Sequence, residues 1–215
     1  MADGAFLPAC SMPRRARPGH AEGLAEIASV VLEQLCERVM WPSVLSVPRL
    51  DCMEVVETNS PRAYFDALPP APLGFRANML RSASGRAYLA FCPDGEREAV
   101  LRRLRERDVA GHELAHDPAA IRRVVETTRR RGYSVRDPGF GGHYSKPRTE
   151  ADDGRNSIAM PIRSGGDVLG CVNLTWRMQA MTVAQLVRRY GGDLRTAVGT
   201  IEERLAQSGL TGAAG

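Results

Sequence analysis

Two apolar helical stripes near the ends of this 215-residue sequence constrain everything between them. Leu24, Ile27, Ala28, Val31, Leu32, Leu35 and Val39 recur at three- and four-residue spacing, which puts them on one face of a helix over about 20–39. Trp41-Pro42 ends it, because the residue before a proline is pushed out of helical angles. Near the other end, Val183, Leu186, Val187, Tyr190, Leu194, Val198, Ile201 and Leu205 line one face of a helix over about 182–206. Each stripe must bury itself against another apolar surface. The residues between the two helices have to supply that surface.

They supply strands first. Segments 43–49 and 52–58 are rich in Val, with Leu45 and Met53. Pro61, Pro69, Pro70 and Pro72 make 60–75 a loop. Ser82 precedes a run of helix formers and reads as an N-cap, leading into an apolar stretch that ends near Cys92. A helix over about 94–107 carries Val100, Leu101 and Leu104. Another, over about 118–131, opens with Pro118 behind the capping candidate Asp117 and stops at Gly132. Tyr133 to Val135 starts a strand, and 138–155, polar and glycine-rich, reads as a mobile loop.

Ser157 to Arg163 and Val168 to Trp176 read as two strands, and Gly165-Gly166 between them fits a tight hairpin, since glycine tolerates positive φ. Strict alternation puts Leu169, Cys171, Asn173 and Thr175 on one face and Val168, Val172, Leu174 and Trp176 on the other. The element order predicts an α+β fold of the GAF type: an antiparallel sheet flanked by N- and C-terminal helices and a helical block. The expected divisions are an irregular segment over 1–19, one domain over 20–206 and a disordered tail over 207–215.

Composition narrows the function. Hydrophobic residues at 43% allow a sizeable core, and aromatics at 6% argue against a stacking surface for single-stranded nucleic acid. Five cysteines, an odd number with no Cys-x-x-Cys pair, fit reduced thiols better than a disulfide framework or a cysteine zinc site. No run is long and apolar enough for a membrane span, and no basic-then-apolar leader opens the chain; a cytoplasmic protein without membrane contact is expected. The formal charge of +4 includes two arginine runs, Arg14, Arg15 and Arg17, and Arg129 to Arg131. These read either as solvated surface or as a nucleic-acid footprint, and a modest positive field also suits an anionic small ligand.

Three stretches resemble the effector-binding domain of the IclR family of bacterial transcriptional regulators. They are Gly74-Phe75-Arg76 with Met79 through Cys92, Arg131 through Asp137, and Ser157 through Ile162 with Val168 through Leu174. Val39 to Pro42 and Gly132 to Pro138 resemble the branch that controls hydroxyphenylpropionate and other aromatic-acid catabolism. The resemblance implies a sensor that binds a small organic acid, assembles as a homodimer or tetramer, and needs no cofactor. It implies DNA contact only through a winged helix-turn-helix, which these 215 residues do not contain.

The resemblance also points to site residues. Ala83 and Ser84 sit where the family borders the effector's carboxylate, at a helix N-terminus whose unpaired N–H groups seat an anion. The alternative is that Ser82 or Ser84 merely caps the helix. Asn173, Thr175 and Ser157 match small polar positions of the family's ligand wall. Arg136 and Asp137 lie where family members often carry acidic residues, and an arginine there offers a bidentate partner for a carboxylate.

One motif points to a different class. His112-Glu113-Leu114-Ala115-His116 fits the zincin pattern, two histidines one helical turn apart with a glutamate base. Gly111 before it and Pro118 after it suggest a connector rather than a helix. A zinc-dependent hydrolase is therefore the alternative, and a redox enzyme using Cys52, Cys92 or Cys171 has no supporting spacing. Gly139-Phe140-Gly141-Gly142 lacks the Lys-Ser/Thr of a phosphate loop.

Overall fold

A computed structural model describes residues 20–61, 71–107 and 109–209. The arginine run at 14–17, the middle of the loop expected over 60–75 and the last six residues lie outside them.

The two long stripes form helices as expected, α1 over His20–Val39 and α5 over Val183–Ser208. Met40, at φ 57°, closes α1 in the left-handed region just before Trp41-Pro42. A reciprocal capping box of Thr182 and Gln185 starts α5, and Gly209 at φ 70° ends it, two residues beyond the expected boundary. The strands are β1 (Ser43–Pro48), β2 (Cys52–Asn59), β3 (Arg76–Asn78), β4 (Ser134–Val135), β5 (Arg155–Ser164) and β6 (Asp167–Arg177). They form one antiparallel sheet in the order β3-β2-β1-β6-β5-β4.

The sheet is covered on both faces. α1 and α5 pack against one face through Leu32, Leu35, Leu194 and Ile201, over Leu45, Ile158, Val172 and the fully buried Trp176. The other face carries the helical block: α2 (Ala83–Phe91), α3 (Asp94–Arg107), a 3-10 turn at Glu113–His116 and α4 (Pro118–Arg131). There Leu80, Ala87, Leu89, Leu104 and Val125 pack with Met53, Ala159 and Cys171. Asp117 caps α4 by accepting from the Ala120 N–H, and Gly132 stops it at φ 76°. The expected α+β architecture is therefore present, with the sheet as the middle layer.

Two local expectations are corrected. Gly165 and Gly166 make the β5–β6 turn at φ 58° and 89°, but the hairpin is not regular. Its register shifts between Ile162 and Arg163, whose partners are Gly170 and Val168, so Leu169 is an extra residue. A bulge exchanges the faces on its two sides. Val168 accordingly packs with Cys171 on the helical-block face, and Leu169 packs with Val172 and Trp176 on the other, the reverse of strict alternation. The segment 138–155 is packed rather than loose. It folds back on itself through bridges Phe140–Pro147 and Gly142–Asp152. Arg148 donates to the carbonyls of Phe140 (2.7 Å) and Arg155 (3.0 Å).

Candidate functional site

A cavity of about 350 Å³ lies between the sheet, the N-terminal end of α2 and the 139–154 segment. That volume is at the small end of the ~300–1,000 Å³ typical of ligand pockets. Its apolar lining includes Val44, Val55, Phe75, Ala77 and Phe140.

The end of α2 is held in place by its own sequence. Ser82, extended at φ −74° and ψ 155°, caps the helix by accepting from the Gly85 N–H at 3.0 Å. Ser82 is thus the cap, and Ser84 is left to border the cavity, its hydroxyl 3.3 Å from that of Ser82. With Gly85 satisfied, the N–H groups of Ala83 and Ser84 are the ones left without a partner among the described residues, and they sit at the positive end of the helix dipole. A side chain on Gly85 would collide with the carbonyl of Met79, so glycine is what lets the helix end sit this deep. Ser134 on β4 donates to the carbonyl of Ala83 and secures the helix from the sheet side.

The sheet forms the floor. Asn173 pairs in register with Val44 on one side and Ala159 on the other, and Ser157 with Thr175. Asn173 Nδ2 donates to Thr175 Oγ1 at 3.1 Å, which leaves the asparagine carbonyl and the threonine hydroxyl hydrogen available to a guest. Ser157, 7% exposed, and Ser46, 1% exposed, add two more hydroxyls.

Arg136 lines the cavity, but its head is already engaged. Nε donates to the Phe140 carbonyl at 2.9 Å, Nη2 meets Asp153 Oδ2 at 2.9 Å, and the guanidinium stacks over the Phe140 ring at 4.7 Å. Burial pushes its pKa below the usual arginine range, and Asp153 works against that shift. Asp137 is turned away from the cavity lining. It pairs with Arg86 and accepts from the Gly139 N–H at 2.8 Å. The structure thus brings Ala83, Ser84, Arg136, Ser157, Asn173 and Thr175 around one space and leaves Asp137 behind it.

The zincin reading fails on geometry. Residues 113–116 form a 3-10 turn, with three residues per turn, so positions 112 and 116 do not stack. His112 is 2% exposed and both its ring nitrogens are occupied, Nδ1 by the Leu104 carbonyl at 3.1 Å and Nε2 by the Tyr144 hydroxyl at 2.9 Å. His116 faces solvent, and Glu113 accepts from the Gly111 N–H at 2.8 Å. No group of three metal-binding side chains occurs among the described residues. Among the described residues the cysteines offer no nucleophile. Cys36, Cys52, Cys92 and Cys171 are buried, and burial is the leading cause that raises each thiol, Cys36 to about 11 and Cys92 to about 12. A thiol held protonated is inert near neutrality.

Sequence reasoning missed the 139–154 wall: Phe140, Gly141, Gly142 and Asp153. The Gly-rich run was the only signal. A side chain on Gly141 would overlap the Ala151 carbonyl, so that glycine marks a close backbone approach rather than a loose tip. Asn78 was missed as well. Buried entirely, it donates to the carbonyls of Gly111 (3.0 Å) and Tyr144 (3.1 Å) and accepts from the N–H groups of Leu80 (2.9 Å) and Arg81 (3.1 Å). It joins the approach to α2 to the far wall.

Comparison with known proteins agrees with this architecture. The family model described as bacterial transcriptional regulator IclR C-terminal matches residues 20–203. A probable HTH-type transcriptional regulator ArcR of Halobacterium salinarum is 30% identical over 125 residues, covering 58% of this chain and 43% of its own length. The chain thus spans less than half the length of that curated relative. Among solved structures, an IclR homolog from Microbacterium hydrocarbonoxydans, complexed with 4-hydroxybenzoate, is 25% identical with a TM-score of 0.64, covering 90% of this chain and 72% of its own. The C-terminal domain of the E. coli regulator KdgR shares the fold at 18% identity and a TM-score of 0.63, covering 85% of this chain and 98% of its own.

Proposed function

Because the chain belongs to the IclR C-terminal family of bacterial transcriptional regulators, we propose that it senses a small carboxylic acid, an aromatic one in particular, and so controls transcription. The observation that carries this reading is the cavity itself. A helix end with two N–H groups to offer faces a chamber lined by Val44, Val55, Phe75 and Phe140, with an amide and three hydroxyls on its floor and the paired Arg136 and Asp153 in its wall. The carboxylate sits on the N–H groups of Ala83 and Ser84, and the ring lies over Val44 and Phe75. Asn173, Thr175 and Ser157 orient the remaining polar groups. The relative complexed with 4-hydroxybenzoate supports the aromatic class. Binding rather than turnover is the task, and it is carried out in the cytoplasm by a homodimer or tetramer. Within that assembly, Asp137 positions Arg86 rather than touching the ligand.

Calorimetry with 4-hydroxybenzoate tests the site. Ala83→Pro removes one N–H from the first helical position, where proline is tolerated and the extended Ser82 accommodates it. A hydrogen bond to a charged group is worth ~1.5–3 kcal/mol, so affinity is expected to fall roughly tenfold or more. Asn173→Leu loses a neutral bond worth ~0.5–1.5 kcal/mol and is expected to bind a few-fold more weakly. Unchanged affinity in both variants places the ligand elsewhere. Assembly is read separately by light scattering, where a monomer at micromolar concentration contradicts the oligomer.

A further inference from the structure

Six serines among the described residues are buried: Ser43, Ser46, Ser82, Ser84, Ser134 and Ser157. Four of them are engaged within the protein. Ser43 donates to the Leu32 carbonyl at 3.1 Å, Ser134 donates to the Ala83 carbonyl, and Ser82 caps α2 with the Ser84 hydroxyl 3.3 Å from its own. The hydroxyls of Ser46 and Ser157 have no partner among the described residues, and both residues line the cavity. Ser157 belongs to the polar part of the floor, in register with Thr175. Ser46 stands apart from it. It lies on β1 two residues from Val44, so the two share the cavity face of the strand, and its register partners are Val55 on β2 and Cys171 on β6. Among the described lining residues from β1, β2 and 71–77 it is the one polar side chain, 1% exposed and set among Val44, Val55, Phe75 and Ala77.

A buried hydroxyl without a partner is unfavourable, and a serine with a purely structural role avoids that state by bonding to backbone, as Ser43 does. Ser46 instead lies across the cavity from the carboxylate seat. Ser134 anchors the Ala83 carbonyl to β4, and β1 is three strands further along the sheet, a separation of roughly 14 Å at the usual spacing of strands. We infer that Ser46 determines ligand specificity: its hydroxyl bonds a hydroxyl group on the ring, remote from the carboxylate, and the site rejects acids that carry an apolar group there. This deepens the sensing reading above and rests on it. A ring with a hydrogen-bonding group on either side reaches from the α2 end to β1 over Val44 and Asn173. The discrimination follows from what each ligand does to Ser46. A hydroxylated acid gives the serine a partner, whereas a methyl group in the same place keeps solvent away and leaves the serine buried and unpaired.

The test is calorimetry on the full chain at pH 7.5 with two matched pairs of acids: 4-hydroxybenzoate against 4-methylbenzoate, and 3-hydroxybenzoate against 3-methylbenzoate. Within each pair the ring and carboxylate are the same and only the hydrogen-bonding group changes. The parent is expected to bind at least one hydroxylated acid about tenfold or more tightly than its methyl counterpart. In Ser46→Ala that ratio is expected to collapse towards one, because the hydroxylated acid loses its partner and the methyl acid no longer buries an unpaired hydroxyl. Ala83→Pro acts on the carboxylate, so it is expected to weaken both members of a pair by the same factor and leave their ratio as in the parent. The ratio separates the readings, since a merely structural serine would weaken both acids together when replaced. Circular dichroism establishes that Ser46→Ala folds; if it does not, Ser46→Cys, close to serine in size and only a weak hydrogen-bonding partner, carries the comparison with the same expected collapse. A ratio in the folded Ser46 variant equal to the parent's overturns the inference. So does a parent that binds both methyl acids as tightly as their hydroxylated counterparts, and either result leaves the sensing reading standing. If none of the four acids binds the parent at millimolar concentration, the aromatic-acid reading falls and this inference falls with it.

Discussion

Glycines at Gly85 and Gly192 have opposite roles, and the difference is a matter of what surrounds each Cβ position. At Gly85 the space is filled by backbone atoms of Met79, which cannot swing aside as a flexible side chain would. Gly85→Ala must therefore push the α2 end out of the cavity wall. Such overpacking costs typically ~1–3 kcal/mol, and ligand affinity is expected to fall with stability. At Gly192, exposed in the middle of α5, nothing lies within 4 Å. Gly192→Ala is expected to stabilise by ~0.5–1 kcal/mol, because alanine leaves the unfolded chain less freedom to lose. Urea melts of the two variants check both signs, and a Gly85→Ala protein as stable as its parent would mean that the helix end is not packed as described. Both glycines stand in plain view in the sequence. Their difference does not, because it depends on residues that arrive from elsewhere in the chain. His112 teaches the same lesson: its spacing from His116 fits a metal site, and only its partners Leu104 and Tyr144 reveal a structural side chain.

At the scale of elements, local chemistry was readable wherever the relevant groups are neighbours in sequence. The caps at Ser82 and Asp117, the stop at Gly132 and the Gly165-Gly166 turn all depend on contacts within four residues. Asp117→Ala is accordingly expected to cost ~0.5–2 kcal/mol in thermal unfolding, with Asp117→Asn largely retained, since asparagine still accepts from the Ala120 N–H. Equal losses in both variants would remove the cap as the explanation. The β6 bulge was not readable. An alternation pattern is the same whether or not one residue is extra; the partner strand decides that, and here it moved Val168 and Leu169 to opposite faces from those expected. The three residues of β3 were missed for a similar reason. They are a strand only because Cys52, Met53 and Glu54 pair with them.

For the molecule as a whole, both core layers bury thiols, and this has a consequence for pH. Cys36 on α1 is held protonated to about 11 and Cys92 after α2 to about 12, against an ordinary value of 9.0, with burial as the main cause. The unfolded chain ionises these thiols near pH 9 while the native state cannot. Their contribution is thus fully present below pH 9 and is lost as pH rises through 11 and 12. Melting temperature is expected to fall between pH 8 and 10.5, and Cys36→Ala/Cys92→Ala is expected to show a shallower fall. An identical slope in parent and variant would assign the alkaline loss to other groups.

The sequence by itself determined the two helical stripes, the α+β class, the family, the caps and turns, and six of the seven residues expected to form the site that do gather around the cavity. Periodicity and capping are local physics, and the family resemblance named positions whose meeting it could not display. Tertiary structure alone decided which faces meet. It turned Asp137 toward Arg86 and away from the cavity, and it set Asp153 against Arg136 from 17 residues away. It also closed the far wall with backbone at Gly141. Each of these rests on a contact between groups distant in sequence, and a long-range contact has no period, cap or turn to announce it.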